Sequence, residues 1–209
     1  MHQPRSALRM LAALSAATLV GAVLAATLIA PAAATHQPAN KMAASGASLD
    51  IGAPGETLDI LSGTLRTSGP EDLVISLTME CDILTQVNTV GNDLSHAEAH
   101  IVAWVEIDGA PVGVTDGDDG RVVFCDRVHE QETSLFDDEN ATIRSFIQTR
   151  TANAFNWLAL NVGSGVHTVV ARAELTSETD GDDLTLANAV IGKRTLLVDP
   201  TKLANDASM

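Results

Sequence analysis

The chain has 209 residues, with 27 acidic side chains against 12 basic ones and a formal net charge of −15 with histidine neutral. So large an excess of carboxylates argues against nucleic acid and anionic lipid as partners, because their phosphates repel such a surface. It favours solubility in salt or cation binding, and a solvated acidic surface is the plainer alternative.

The first element is an export segment. Arg5 and Arg9 precede an apolar run from Met10 to Ala30, which ends in Pro31-Ala32-Ala33-Ala34-Thr35, a small-residue site of the kind a signal peptidase cuts. Residues 1–34 therefore read as a signal peptide. Left uncleaved, the run is nearly long enough for a bilayer core of ~30 Å and would act as an N-terminal membrane anchor, with the rest of the chain outside. Both readings give a secreted or extracellular protein, which touches membrane only through an uncleaved segment. All the acidic residues but only ten of the basic ones follow residue 35, so the exported part carries a formal charge of −17.

Residues 35–55 are Ala-, Ser-, Gly- and Pro-containing with little pattern, and read as a flexible linker. Residues 56–200 are long enough for one domain with its own core, and 201–209 read as a C-terminal tail. Within the domain the apolar period is two. Leu73, Ile75, Leu77, Met79, Cys81 and Ile83 alternate with Ser76, Thr78, Glu80 and Asp82, which predicts a strand with one buried face. Next, Ala97, Ala99, Ile101, Ala103, Val105 and Ile107 fall on one face. His96, Glu98, His100, Val102, Trp104 and Glu106 fall on the other. Asp108-Gly109-Ala110-Pro111 then turns the chain.

Residues 112–114 and 121–128 are expected to form a hairpin around Asp116-Gly117-Asp118-Asp119-Gly120. Val122, Phe124 and Val128 read as its core face. That assignment turns Cys125 outward, unless a bulge or an edge position intervenes. Residues 130–139 read as an acidic loop, and 143–149 and 155–162 as strands, with a helical turn over 153–160 as the alternative. Residues 166–175, 184–190 and 194–198 complete the strands.

Cys81 and Cys125 are the two cysteines. In an oxidising compartment a lone pair is most simply a disulfide, with separate thiols as the alternative. Neither has a Cys-x-x-Cys neighbour, which argues against a zinc site built on them.

Many short strands between Gly- and Asp-rich turns, without a long amphipathic helix, predict an all-β fold, an antiparallel β-sandwich. The run Gly165-Val166-His167-Thr168-Val169-Val170-Ala171 resembles a late core strand of immunoglobulin-like and jelly-roll bacterial domains. Asp119-Gly120-Arg121-Val122-Val123-Phe124-Cys125-Asp126, residues 153–162 and residues 192–205 resemble segments of uncharacterised secreted actinobacterial proteins. That resemblance implies a sandwich of immunoglobulin-like or jelly-roll strand order and carries no activity with it.

The sharpest chemical candidate is His96-Ala97-Glu98-Ala99-His100. On a strand, alternate residues share a face at about 7 Å spacing, so two imidazoles and a carboxylate project together and can hold Zn²⁺ with one more ligand or a water. His129 is the obvious outside ligand, and a solvated strand face is the alternative. The spacing is not that of the helical His-Glu-x-x-His motif. A second candidate is calcium at Asp116, Asp118 and Asp119, echoed by Asp180, Asp182 and Asp183; neither turn has full EF-hand spacing, and Asp-Gly is also a common tight turn. Trp104, on the polar face of its strand, is the one aromatic platform suited to a sugar, with burial as the alternative. Ser164 lies between glycines near His167, but without the strand–elbow–helix context of a nucleophilic serine. Cys125 as a catalytic thiol would have to stay reduced outside the cell.

The sequence therefore predicts a secreted, disulfide-linked sandwich without a catalytic constellation, acting on an unknown extracellular ligand or protein by binding, or as a surface or structural component. The alternatives are a calcium-stabilised extracellular module using the acidic turns, and a metal-dependent hydrolase built on His96, Glu98 and His100. No cofactor is expected beyond Ca²⁺.

Overall fold

The computed structural model describes residues 41–47, 49–50, 55–91, 93–115, 118–134 and 141–201. The export segment, Asp116 and the tail beyond Thr201 lie outside the described residues. Among those described there is no helix long and apolar enough to cross a membrane. The strands are β1 (Met42–Gly46), β2 (Leu49–Asp50), β3 (Thr57–Thr67), β4 (Glu71–Val90), β5 (Leu94–Ile107), β6 (Ala110–Pro111), β7 (Val122–Glu132), β8 (Thr142–Val162), β9 (Gly165–Asp180) and β10 (Leu186–Thr201).

The long strands pair as nested antiparallel hairpins: β5 with β7, β4 with β8, β3 with β9 and β1 with β10. Rolling up this folded-back chain adds the pairs β10–β4 and β5–β9. Two sheets result, one ordered β1-β10-β4-β8 and the other β3-β9-β5-β7, with β2 and β6 as short additions to β10 and β5. Eight strands in this order form a jelly roll, an antiparallel sandwich of two packed sheets. That order selects the jelly roll over the immunoglobulin-like alternative.

The period-two pattern does what it predicts. Leu73, Ile75, Leu77, Met79, Cys81 and Ile83 of β4 face Ala99, Ile101, Ala103 and Val105 of β5 across one continuous core. Asp108 and Gly109 make a two-residue turn, both with positive φ (53° and 82°), so that β6 folds back on β5.

Five expectations are corrected. The stretch read as a linker contains β1, whose backbone pairs with β10 from Met42 opposite Val198 to Gly46 opposite Arg194; pairing through main-chain groups needs no hydrophobic alternation. Residues 142–162 form one 21-residue strand, which excludes the helical turn: Trp157 and Ala159 point inward and Leu158 outward. Residues 186–201 are likewise one strand, with an irregularity between Ile191 and Arg194. β7 runs on to Glu132, so the acidic loop starts later than residue 130.

The fifth correction concerns orientation in β7. Val123 pairs with Val102 and Cys125 with Ile101, so Phe124 is the extra residue of a β-bulge. Phe124 and Cys125 both point into the core. Beyond the bulge the facing is inverted relative to the unbulged reading: Val128 is 49% exposed and His129 is buried on the inner face.

This inversion lets Cys125 reach Cys81. Their disulfide joins β7 of one sheet to β4 of the other, with Cα atoms 6.5 Å apart. Trp157 packs nearby, 6.3 Å from the Phe124 ring and 4.8 Å from the Phe155 ring between centroids. Its indole N–H donates to the Gly120 carbonyl at 2.8 Å. Gly120 has φ +68°, and an added Cβ would overlap the Val112 carbonyl oxygen, so glycine is required there. Asn153 of β8 closes the same side by donating to the Phe124 carbonyl at 2.7 Å.

Candidate functional site

β5 lies inside its sheet, with β9 on one side and β7 on the other. Its even-numbered residues from 96 to 100 point away from the core because the odd ones, Ala97, Ala99 and Ile101, are fully buried. The outer face therefore carries His96, Glu98 and His100 in a row. On β7 they stand opposite Glu130, Val128 and Asp126; on β9, opposite Asp180, Glu178 and Thr176.

The Glu98 carboxylate lies between the two imidazoles, Oε1 3.4 Å from His100 Nδ1 and Oε2 3.7 Å from His96 Nε2. His96 Nδ1 is 3.3 Å from Glu130 Oε1. One ligand-type atom each from Glu98, His100 and Asp126 fall within 4.8 Å of one another. Of the expected strand cluster, Glu98 and His100, without His96, thus come together with Asp126 as the outside member. His129, the expected one, stands opposite Ala97 on the inner face and is 9% exposed. The cause is the bulge at Phe124, which reverses the facing of every later residue of β7. Asp126 was open to sequence reasoning only once the cysteine pair is used to demand that bulge, because an inward Cys125 turns its neighbour outward.

The two acidic turns of the calcium expectation lie apart on the sheet, and Asp116 falls outside the described residues. Asp180 pairs with His96, whereas the other turn enters β7 opposite Ala103. Seven residues of β5 separate the two, roughly 23 Å at the rise of a strand. Asp118 is occupied by its own loop. One oxygen accepts from the Val114 and Gly120 amides at 2.7 and 2.9 Å, the other from the Thr115 amide and hydroxyl at 2.7 and 2.6 Å. These donors, the Thr115 hydroxyl foremost, lower its pKa to about 2. Asp119 accepts from the Arg121 amide at 3.2 Å, and Asp182 from the Leu184 amide at 3.0 Å and from the Asn88 side chain. Asp183 sits in the β9–β10 turn.

Trp104 offers no free platform. It is 6% exposed, with the Arg121 guanidinium 4.0 Å from the ring centroid and the indole N–H donating to Glu106 at 3.1 Å. Arg121 is held in turn by Glu174. Near Ser164, His167 spends both ring nitrogens elsewhere: Nδ1 lies 2.7 Å from Asp108 Oδ2 and Nε2 lies 2.9 Å from the Gly163 carbonyl. Cys125, bound in the disulfide, is not a free thiol.

No protein-family model and no curated protein matches the chain.

Proposed function

We propose that the protein is an exported, non-catalytic module that binds an extracellular ligand or protein, or serves as a surface component. The observation that carries this reading is the Cys81–Cys125 disulfide, which spans the two sheets inside the core. Such a bond persists in oxidising compartments and is rare in the cytoplasm. Its presence agrees with the export segment at residues 1–34 and with the resemblance to secreted actinobacterial proteins. The two sheets, locked together, hold their outer faces and loops in a fixed geometry suited to recognition rather than to movement.

The reading is tested by expressing the full chain in a bacterial host and fractionating the culture. The expected product lies outside the cytoplasm and starts after Ala34, and its cysteines resist alkylation until reduced. A product in the membrane fraction that retains residues 1–34 would assign the anchored form. Cytoplasmic retention with two alkylatable thiols would overturn the export reading.

A further inference from the structure

We propose that Glu98, His100 and Asp126 form a binding site for a divalent transition metal ion of the Zn²⁺ class on the outer face of the β3-β9-β5-β7 sheet, with a solvent molecule as the fourth ligand. The inference holds independently of export, because it rests on the geometry of this face.

Glu98 and His100 sit two residues apart on β5, and the antiparallel register puts Asp126 directly opposite His100. Facing residues of paired strands bring their Cβ atoms to about 5 Å, close enough for short side chains to share one ion. A tetrahedral Zn²⁺ site with bonds of about 2.0–2.1 Å spaces its ligand atoms about 3.3–3.4 Å apart. His100 Nδ1 and Glu98 Oε1 already stand 3.4 Å apart, and one ligand-type atom each of Glu98, His100 and Asp126 lie within 4.8 Å of one another. The 3.4 Å and 3.7 Å histidine–Glu98 separations exceed the usual hydrogen-bond range of about 2.7–3.2 Å. Of the two, only the His100 separation matches the spacing of two ligands on one tetrahedral ion.

The electrostatic surroundings point the same way. The positions in register with 96, 98 and 100 hold Glu130, Val128 and Asp126 on β7 and Asp180, Glu178 and Thr176 on β9. Not one of these is basic. Five carboxylates and two imidazoles thus converge on a patch three residue pairs long, and a divalent ion relieves their mutual repulsion. Glu130, in contact with His96 Nδ1, places one of these carboxylates at the edge of the patch. Imidazole nitrogens select zinc, copper or nickel, whereas Ca²⁺ requires six to eight oxygens.

The test uses the protein purified after expression of the full chain and stripped with chelator. Calorimetric titration with Zn²⁺ should show one equivalent bound, and Zn²⁺ should raise the melting temperature by mass action. His100→Ala and Asp126→Asn should each weaken binding by about tenfold or more, while melting in chelator stays at the parent value. Glu98→Gln, which keeps shape and polarity, supplies the same test should either variant fold poorly. Bound Co²⁺ should show the visible bands of a low-coordinate nitrogen–oxygen site, lost in the same variants. The proposal is overturned if no stoichiometric Zn²⁺ binds, if the variants bind as the parent does, or if Ca²⁺ at equal concentration displaces Zn²⁺.

Discussion

The guanidinium of Arg121 lies 4.0 Å from the centre of the Trp104 ring, and that contact decides what the tryptophan does. Glu174 holds Arg121 from β9, and Glu106 accepts the indole proton. The ring is therefore a stacking surface for the protein's own cation, a contact contributing about 0.5–2 kcal/mol. In Trp157→Phe, where Trp104 is the remaining tryptophan, emission should peak at the wavelength of a buried indole. Arg121→Ala in that background should shift the peak to the red. Solvent-exposed emission before Arg121 is removed would contradict the burial. Alternation along β5 assigns Trp104 to the polar face correctly. It carries no information about Arg121, 17 positions away, whose reach across the sheet covers the ring.

Elements are joined by a second polar device at the other end of β5. Asp108, in the β5–β6 turn, accepts from the Thr168 amide at 2.8 Å and pairs with His167 of β9. His167 contacts the Gly163 carbonyl and lies 3.2 Å from the Thr67 hydroxyl at the end of β3. The imidazole, followed by the Thr168 amide, holds the Asp108 carboxyl below its ordinary range; the carboxylate, followed by the Gly163 carbonyl, raises the His167 pKa. The depressed acid stabilises the fold above its unfolded value of 3.8, and this is lost as pH falls through the folded value. The raised base stabilises the fold below its unfolded value of 6.5, and this is lost as pH rises through the folded value. The clasp is therefore strongest from about pH 4 to about pH 6.5. Melting of the parent and of His167→Gln should differ most near the middle of that window and converge in alkali. A gap that stays constant into alkali would show that the pair carries no charge. The same element-level logic explains β7: one extra residue, Phe124, moves Val128 out, His129 in and Asp126 beside His100.

Across the sandwich, the disulfide closes a loop of sequence separation 44 and links sheets that otherwise meet through core packing and side-chain hydrogen bonds such as that from Asn153 to the Phe124 carbonyl. A loop of that size implies about 4 kcal/mol of stabilisation in the chain-entropy treatment. The Cys81→Ala, Cys125→Ala double variant should therefore melt roughly 10 °C lower, with the β-sheet circular dichroism of the folded state retained. An unchanged melting temperature would place the stability of the sandwich in its core packing alone. Much of this architecture is legible in the chain: the inward rows of β4 and β5, the Asp108-Gly109 turn, the cysteine pair and the His96, Glu98, His100 row all follow from side-chain period and turn chemistry, which act between near neighbours. Strand order, the recruitment of β1, the bulge at Phe124 and the meeting of Asp126 with His100 follow from the packed sheets. Each depends on register between distant strands, and register is chosen by the summed burial and main-chain pairing of the assembled sandwich, to which no short stretch of sequence contributes enough to choose it.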